Sequence, residues 1–165
     1  MRVKRRNLLA TAAGLLTGVF LSTTAYAGGM SEAKARDLVT PFYQFLSGEV
    51  DATAGMANMA EDWRSYASDT KYKVAKETAK SISGLRKHNV TDLNWEIKDL
   101  IVANDYIVVR GEGSGTPTKD FFGVPHSGKS FKIMSIDIHQ IDSGKIARTW
   151  HLENWAAAMR QLSAQ

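Results

Sequence analysis

The chain of 165 residues contains no cysteine. Its absence excludes disulfide bonds, thiolate catalysis and cysteine metal sites. A cysteine-free protein also suits an oxidising compartment, where a free thiol would react. The histidines at positions 126, 139 and 151 lack a recognisable ligand spacing, so we predict no metal site.

A hydrophobic run long enough to span a membrane is also missing. The uncharged apolar stretch 8–21 is shorter than the ~20 residues that a spanning helix needs. It follows a basic head containing Arg5-Arg6 and precedes the small-residue site Ala25-Tyr26-Ala27. This layout predicts a secretory signal peptide over residues 1–27 and an exported protein, periplasmic or secreted; an uncleaved anchor is the alternative. The paired arginines match a twin-arginine signal, with the general secretory route left open.

Net charge disappears once the signal peptide is removed. The formal charge of the whole chain is +4, and Arg2, Lys4, Arg5 and Arg6 account for all of it. The high isoelectric point therefore gives no support for nucleic-acid binding. The 165 residues less the 27 of the signal leave 138, a length that suits one domain, residues 28–165, with a single core.

The spacing of apolar residues changes along the chain from a helical period to a strand period. Helical spacing predicts helices over 31–47, 51–60, 74–87 and 155–162. Alternation predicts strands over 93–98, 106–113, 131–141 and 146–153, with a tight hairpin turn at Asp142-Ser143-Gly144. Helices first and strands later predict an α+β fold, in which the N-terminal helices pack on one face of a mainly antiparallel sheet.

One face of strand 131–141 is apolar at one end and polar in its middle. Its members are Phe131, Ile133, Ser135, Asp137 and His139. The corresponding face of the last strand carries Thr149, His151 and Glu153. If these faces meet, two acids and an imidazole line one concavity, and apolar walls with a few polar groups are typical of a ligand cavity.

Asp137 and His151 form the predicted catalytic pair. Desolvation favours the protonated form of an acid, which can then donate to a developing enolate or alkoxide. A neighbouring histidine can carry protons near neutral pH. The remaining predicted ligand-binding residues are Tyr66 and Arg110, either of which could steady an oxyanion, and Trp63, Phe131, Ile133, Ser135 and Glu153.

Structural roles for the same residues remain open from the sequence alone. Asp137 could face solvent as an ordinary polar residue of a strand, and His151 could be a structural histidine with satisfied hydrogen bonds. His139, near a strand end, is expected at a rim or on the surface. Trp63 could equally be a core residue.

Several short motifs occur in an order that resembles one family. They are Phe42-Tyr43, Asp62-Trp63, Val108-Val109-Arg110, the loop 122–129, the strand segment 136–141 and Gln161-Leu162. The order and spacing resemble the SnoaL-like polyketide cyclase (ester cyclase) family of the nuclear-transport-factor-2-like superfamily. The resemblance implies a cone-shaped α+β barrel with a curved sheet, cofactor-free acid–base catalysis of an aldol-type ring closure, and frequent oligomers. His151 stands where the family places its acid–base aspartate, and the setting of Asp137 is similar to that of the buried acid of ketosteroid isomerases.

The expected function is cofactor-free acid–base chemistry, an aldol-type cyclisation or an isomerisation, on a small hydrophobic carbonyl compound. The alternative is a non-catalytic periplasmic module of the same fold that binds a small ligand or another protein. The expected partners are a small hydrophobic ligand and further copies of the chain, associated through the sheet. We expect no nucleic-acid partner and no membrane span after signal cleavage.

Overall fold

The computed structural model describes residues 29–164, so the predicted signal peptide lies outside the described residues. No helix in this part of the chain is both long and apolar enough to cross a membrane. The elements in chain order are α1 Glu32–Ser47, α2 Ala52–Gly55, β1 Met59–Tyr66, β2 Tyr72–Val74, α3 Ala75–His88, β3 Asn94–Ala103, β4 Tyr106–Gly115, β5 Phe131–Asp142, β6 Lys145–Glu153 and α4 Trp155–Ser163.

The strands form one six-stranded sheet in the order β2-β1-β6-β5-β4-β3. Neighbouring strands are antiparallel except β1 and β6, which are parallel. In the described part of the chain the sheet is not closed, because β2 and β3 end it as edge strands. The predicted α+β fold is confirmed, with an open sheet in place of a complete barrel.

Helix α1 begins and ends with the capping chemistry that its sequence predicts. The side chain of Ser31 accepts a hydrogen bond from the backbone N–H of Lys34, and Gly48 ends the helix at φ 82°. A left-handed φ costs little at glycine, which lacks a Cβ. One stripe of α1 is buried, and it includes Val39, Phe42 and Tyr43. The helix thereby presents the Tyr43 hydroxyl to the inner face of the sheet.

The hairpin between β5 and β6 sets which side chains share the inner face. Its two turn residues, Ser143 and Gly144, have φ values of 49° and 77°, as a type I′ turn requires. The resulting register places opposite each other the pairs Ser135 and Glu153, Asp137 and His151, and His139 and Thr149. The predicted meeting of the two polar faces is confirmed.

The first two strands were not predicted. Only Ala52–Gly55 of the predicted helix 51–60 is helical, and β1 begins at Met59. Strand β1 pairs with β6, far away in sequence, and the register shifts between Met59 and Arg64. A shift of this kind breaks the regular alternation by which a strand is recognised in a sequence.

Candidate functional site

A cavity of about 140 Å³ lies between the inner face of the sheet and the helices α1 and α3. Its walls are mainly apolar, and Asp137, His151 and Glu153 contribute its charged floor. Phe42 and Leu46 reach it from α1, whereas α3 supplies a second side. The remaining apolar lining residues are Ile82, Leu85, Leu93, Trp95 and Trp155. A largely apolar pocket with a few convergent polar groups has the character of a small-molecule site.

The floor of the cavity brings an acid, an imidazole and a second acid together. One side-chain nitrogen or oxygen from each of Asp137, His151 and Glu153 lies within 4.8 Å of the others. His151 Nδ1 is 2.6 Å from Glu153 Oε1. Asp137 is only 5% exposed, and its Oδ2 accepts a hydrogen bond of 2.8 Å from the Tyr43 hydroxyl. The carboxyl group of Asp137 therefore stands next to a histidine that is oriented by a carboxylate.

Burial raises the pKa of Asp137 from its ordinary value to about 7. The hydrogen bond from Tyr43 lowers this pKa, the nearby charge of Glu153 raises it, and His151 lowers it again. Desolvation dominates because the charged form of a buried carboxyl loses its hydration. Near neutral pH Asp137 is therefore divided between acid and carboxylate, which suits a group that both takes and gives a proton.

The pKa of His151 is shifted in the opposite sense to that expected from burial. Burial would lower it, but the hydrogen bond and charge of Glu153 and the charge of Asp137 together raise it. Lys73, on β2, opposes this rise. The His151 imidazolium is therefore stabilised next to an acid that can exist as its carboxylate, and proton exchange between the two needs little reorganisation.

Behind Asp137 lies a buried line of polar side chains. The Tyr43 hydroxyl oxygen is 3.2 Å from His139 Nε2, and His139 Nδ1 is 3.0 Å from the hydroxyl oxygen of Thr149. Trp63 Nε1–H donates to that same oxygen at 3.0 Å. His139 is completely buried, so its expected place at a rim or on the surface was wrong. Burial and the nearby His151 lower the pKa of His139 to about 3, and its ring is neutral.

Polar groups also line the side of the cavity formed by β2 and α3. Lys73 Nζ donates to the hydroxyl of Ser81 at 3.1 Å, and both residues line the cavity. Thr78 lines it too, and its buried hydroxyl has no hydrogen-bond partner among the described residues. A buried hydroxyl without a partner is costly, and a polar atom of a bound ligand would relieve that cost.

Five of the predicted ligand-binding residues lie on the inner side of the sheet, although only Glu153 lines the cavity. Trp63 is fully buried and holds Thr149. The hydroxyl of Ser135 accepts from Trp95 Nε1 at 3.1 Å. Phe131 and Ile133 belong to the buried core. These four residues therefore pack around the site and orient it, and they do not line the cavity.

The placement of Arg110 and Tyr66 in the pocket was wrong. Arg110 alternates on β4 with the buried Val109 and Gly111, so its side chain leaves the opposite face of the sheet and pairs with Asp99. Tyr66 stacks on Trp150 with ring centroids 5.5 Å apart, on the outer face. Neither side chain can steady an oxyanion at Asp137, because the sheet itself separates them from the cavity.

Tyr43, Lys73 and Thr78 were not predicted as site residues. Tyr43 had a readable signal, since it is a polar-tipped aromatic on the apolar stripe of α1, and a buried tyrosine hydroxyl needs a partner. Lys73 stands in a lysine-rich stretch whose pattern indicates a solvated face. Thr78 lies in a helix that carries no other buried residue. The cavity position of these two depends on tertiary packing that the local pattern does not encode.

The floor triad also has the spacing of potential metal ligands. His151 Nδ1, however, is engaged by Glu153, and Asp137 Oδ2 is engaged by Tyr43. These hydrogen bonds are the ones expected of a proton-transfer pair and its orienting groups. The arrangement is therefore one that can carry out proton transfer.

Comparison with known proteins agrees with this fold. The family model described as SnoaL-like polyketide cyclase matches residues 37–162, and no curated protein matches the chain in sequence. The structure of TsrD from Streptomyces laurentii superposes with a TM-score of 0.70 at 25% identity, covering 82% of this chain and 99% of that one. For IdmH from Streptomyces antibioticus, a candidate polyketide cyclase, the TM-score is 0.68 at 18% identity, with 78% and 97% covered. A candidate SnoaL-like polyketide cyclase from Jannaschia sp. CCS1 superposes with a TM-score of 0.69 at 17% identity, covering 84% of this chain and 99% of that one.

Proposed function

The chain belongs to the SnoaL-like polyketide cyclase family, and from this premise we propose that it catalyses cofactor-free acid–base chemistry on a small hydrophobic carbonyl compound. The reaction class is an aldol-type cyclisation or an isomerisation. One observation carries the proposal: a buried carboxyl with a pKa of about 7 stands beside the His151–Glu153 pair on the floor of an apolar cavity. Such a pair of titrating groups can supply a base and an acid at the same pH.

In the proposed reaction Asp137 acts as the base and His151 as the acid. The Asp137 carboxylate removes a proton from a carbon next to a carbonyl, and the electron pair of that C–H bond forms an enolate. For ring closure the enolate carbon attacks a second carbonyl of the same molecule, and the His151 imidazolium protonates the resulting alkoxide. The proton on Asp137 then passes to His151, directly or through product, which restores both groups. For an isomerisation the proton returns to a different carbon.

The cavity limits the size of the part of the substrate that it encloses. Its volume of about 140 Å³ is close to that of an engineered apolar cavity of about 150 Å³ that holds benzene. The enclosed part is therefore about one ring in size. Polar atoms of the substrate would meet Thr78 and the Lys73–Ser81 pair, which could receive a carbonyl oxygen.

Hydrogen exchange at enolisable carbons tests the chemistry without knowledge of the natural substrate. We expect the protein to accelerate deuterium uptake from D₂O into small cyclic monoketones, whose uncatalysed exchange is slow, followed by NMR. Asp137→Asn should abolish this acceleration, whereas Asp99→Asn, an acid-to-amide change on the outer face, should leave it intact. Failure of the wild-type protein to accelerate exchange in any compound that it binds would reject the catalytic proposal.

The second candidate function is a binding module of the same fold. The apolar walls favour it, and so does the hydroxyl of Thr78, which has no partner within residues 29–164, since both features serve a ligand that is held and not converted. Native mass spectrometry of protein taken from cells should then show a retained small molecule of unchanged mass. If the protein is a binding module, the Asp137→Asn variant should still retain that molecule. The protein should then accelerate α-proton exchange in no compound that it binds.

We further propose that the protein is exported and loses residues 1–27. The charged head, apolar stretch and Ala25-Tyr26-Ala27 site support this proposal. The N-terminus of mature protein should begin at Gly28, as Edman or mass-spectrometric sequencing would read it. Replacement of Arg5-Arg6 by Lys-Lys should block export by the twin-arginine route, and unchanged export would leave the general secretory route.

We also propose that the outer face of the sheet joins two copies of the chain. This face exposes large apolar side chains, with Met134 51%, Ile138 37% and Leu152 71% exposed. Contiguous exposed apolar side chains on adjacent strands are typical of an interaction site. A two-fold interface brings the same patch of both subunits together, so a second copy of the chain is the occupant that we propose.

A further inference from the structure

Four hydrogen-bonded links connect the core of the protein to Asp137. They run from Trp63 to Thr149 at 3.0 Å, to His139 at 3.0 Å, to Tyr43 at 3.2 Å and to Asp137 at 2.8 Å. None of the five side chains is more than 5% exposed. Of these five residues, only Asp137 takes part in the proposed reaction. A buried polar network is costly unless every member is satisfied, so the other four call for an explanation.

The two ends of this line fix its direction. The indole N–H of Trp63 can only donate, and a carboxylate can only accept. If each group between the ends accepts one hydrogen bond and donates one, Thr149 accepts from Trp63 and donates to His139 Nδ1. His139 Nε2–H then donates to the Tyr43 oxygen, and the Tyr43 hydroxyl donates to Asp137 Oδ2. Every donor and acceptor in the line is satisfied in this arrangement.

The reverse arrangement leaves a group unsatisfied. If His139 carried its hydrogen on Nδ1, the Thr149 oxygen would accept from both Trp63 and His139. Within residues 29–164 the Thr149 hydroxyl has hydrogen-bond contacts with these two side chains only, so its own hydrogen would lack an acceptor. A buried donor without a partner costs more than a hydrogen bond gains. The forward direction is therefore the stable one.

We propose that Trp63, Thr149, His139 and Tyr43 form a positioning array that locks His139 as its Nε2–H tautomer and directs the reactive proton of Asp137 to Oδ1. Both side-chain hydrogen bonds that Asp137 accepts from the described part of the chain, from Tyr43 and Ser135, go to Oδ2. Oδ1 is thereby left as the oxygen available to a ligand. The four residues act through Asp137; Thr149 also borders the cavity, but its hydroxyl is engaged by Trp63 and His139.

The charge state of each member agrees with this assignment. Burial and the neighbouring Asp137 raise the pKa of Tyr43 well above its ordinary value, so the hydroxyl remains a donor. The lowered pKa of His139 keeps its ring neutral. The groups that face Asp137 are Tyr43 from α1 and His151 and Glu153 from β6, with Val109 opposite it on β4. Lys73 of β2 acts on His151.

The test reads the resting protein by NMR and needs no substrate. In the wild type, ring ¹⁵N correlations should show one histidine that stays neutral between pH 5 and pH 9 and protonated only on Nε2. Tyr43→Phe removes a donor to the charged form of Asp137, so the pKa of this carboxyl, followed by ¹³C, should rise by roughly one to two pH units. Tyr106→Phe, which removes a hydroxyl from the far end of β4, should leave it unchanged.

A second pair of variants tests the other end of the line. Thr149→Ser keeps the hydroxyl and should preserve the His139 Nδ1 resonance, whereas Thr149→Val should move it towards that of an unbonded nitrogen. An Nδ1–H tautomer or an imidazolium in the wild type at pH 7 would overturn the proposal. So would an unchanged pKa of Asp137 in folded Tyr43→Phe. The array rests on the site of the proposed function, but these readouts would stand even if no turnover were found, so the two failures are distinguishable.

Discussion

In the middle of β5 the two faces of the sheet invert the usual distribution of polar and apolar side chains. On β5 the inner face carries Ser135, Asp137 and His139, all buried, whereas the outer face carries Met134 and Ile138, which are 51% and 37% exposed. On this strand the polar side chains are therefore buried, and the apolar side chains at the positions next to them are exposed. A sheet folded for stability alone would have the opposite arrangement.

The contrast indicates that each face serves a purpose beyond folding. Burial of ionisable groups costs stability unless they are paired, and it shifts their pKa values towards those useful in catalysis. Exposure of apolar side chains costs solubility unless a partner covers them. The inner face therefore carries the proposed chemistry and the outer face the proposed contact between copies. Variants at neighbouring positions can separate the two roles.

The largest expected effect comes from the inner residue His151. His151→Ala removes the group that takes the abstracted proton from Asp137, so it should slow enzyme-catalysed α-proton exchange with solvent by about 10²–10⁴-fold. Leu152→Ala, at the next position of β6 but 71% exposed on the other face, should change the rate less than about twofold. The rate of α-proton exchange of each variant is measured in D₂O at several pH values. Equal losses in the two variants would contradict the division of roles between the faces.

The next effect is a gain in stability when the buried charge is removed. Asp137 has a pKa of about 7 in the folded protein and an ordinary value of 3.8, so between pH 4 and pH 7 the folded state binds more protons than the unfolded state. Its contribution therefore becomes unfavourable as pH rises through this window and levels off above it. Relative to wild type, Asp137→Asn should gain on the order of 2–4 kcal/mol between pH 4 and pH 8.

Urea unfolding at the two pH values measures this gain. Ile138→Asn, on the adjacent outward position, is the matched control, and its difference from wild type should not depend on pH. A gain for Asp137→Asn that is the same at pH 4 and pH 8 would show that the carboxyl is not destabilised by burial.

A smaller effect is expected from a charge placed on the outer face. Leu152→Glu should weaken self-association about 10–100-fold, because each copy would bring an unpaired carboxylate into an apolar contact. Sedimentation velocity over a range of concentrations measures the change, and Glu96→Gln on the edge strand β3 serves as a control. A wild-type protein that stays monomeric at all concentrations would refute the proposed contact outright.

The sequence predicts the inner face well because alternation on β5 and β6 is regular over the residues concerned. The sequence alone places Asp137, His151 and Glu153 together, since two strands joined by a two-residue turn leave little freedom of register. The prediction for Arg110 was wrong because side chains alternate along β4, and the buried Val109 places its neighbour Arg110 on the outer face. Lys73 and Thr78 were missed because β2 and α3 meet the cavity only through tertiary packing. Strand β1 pairs in parallel with β6, which is distant in sequence, so no local sequence pattern predicts this pairing.

The smallest expected effect lies in the turn that defines which side chains face inwards. Gly144 has φ 77° and nothing within 4 Å of the position where a Cβ would stand, so substitution there is opposed by backbone strain and not by a clash. Gly144→Val should lower the free energy of unfolding by about 1–3 kcal/mol. Gly84→Val, at a helical position with equally open surroundings, provides a comparison without left-handed φ. Because the register of β5 and β6 is also held by their apolar inner face, Asp137 and His151 should still share the cavity. Thermal unfolding measures the loss, and α-proton exchange should remain within about twofold of wild type per folded molecule. An unchanged melting temperature would show that the turn tolerates a β-branched residue at positive φ, and loss of exchange in a folded variant would show that the turn alone sets the register.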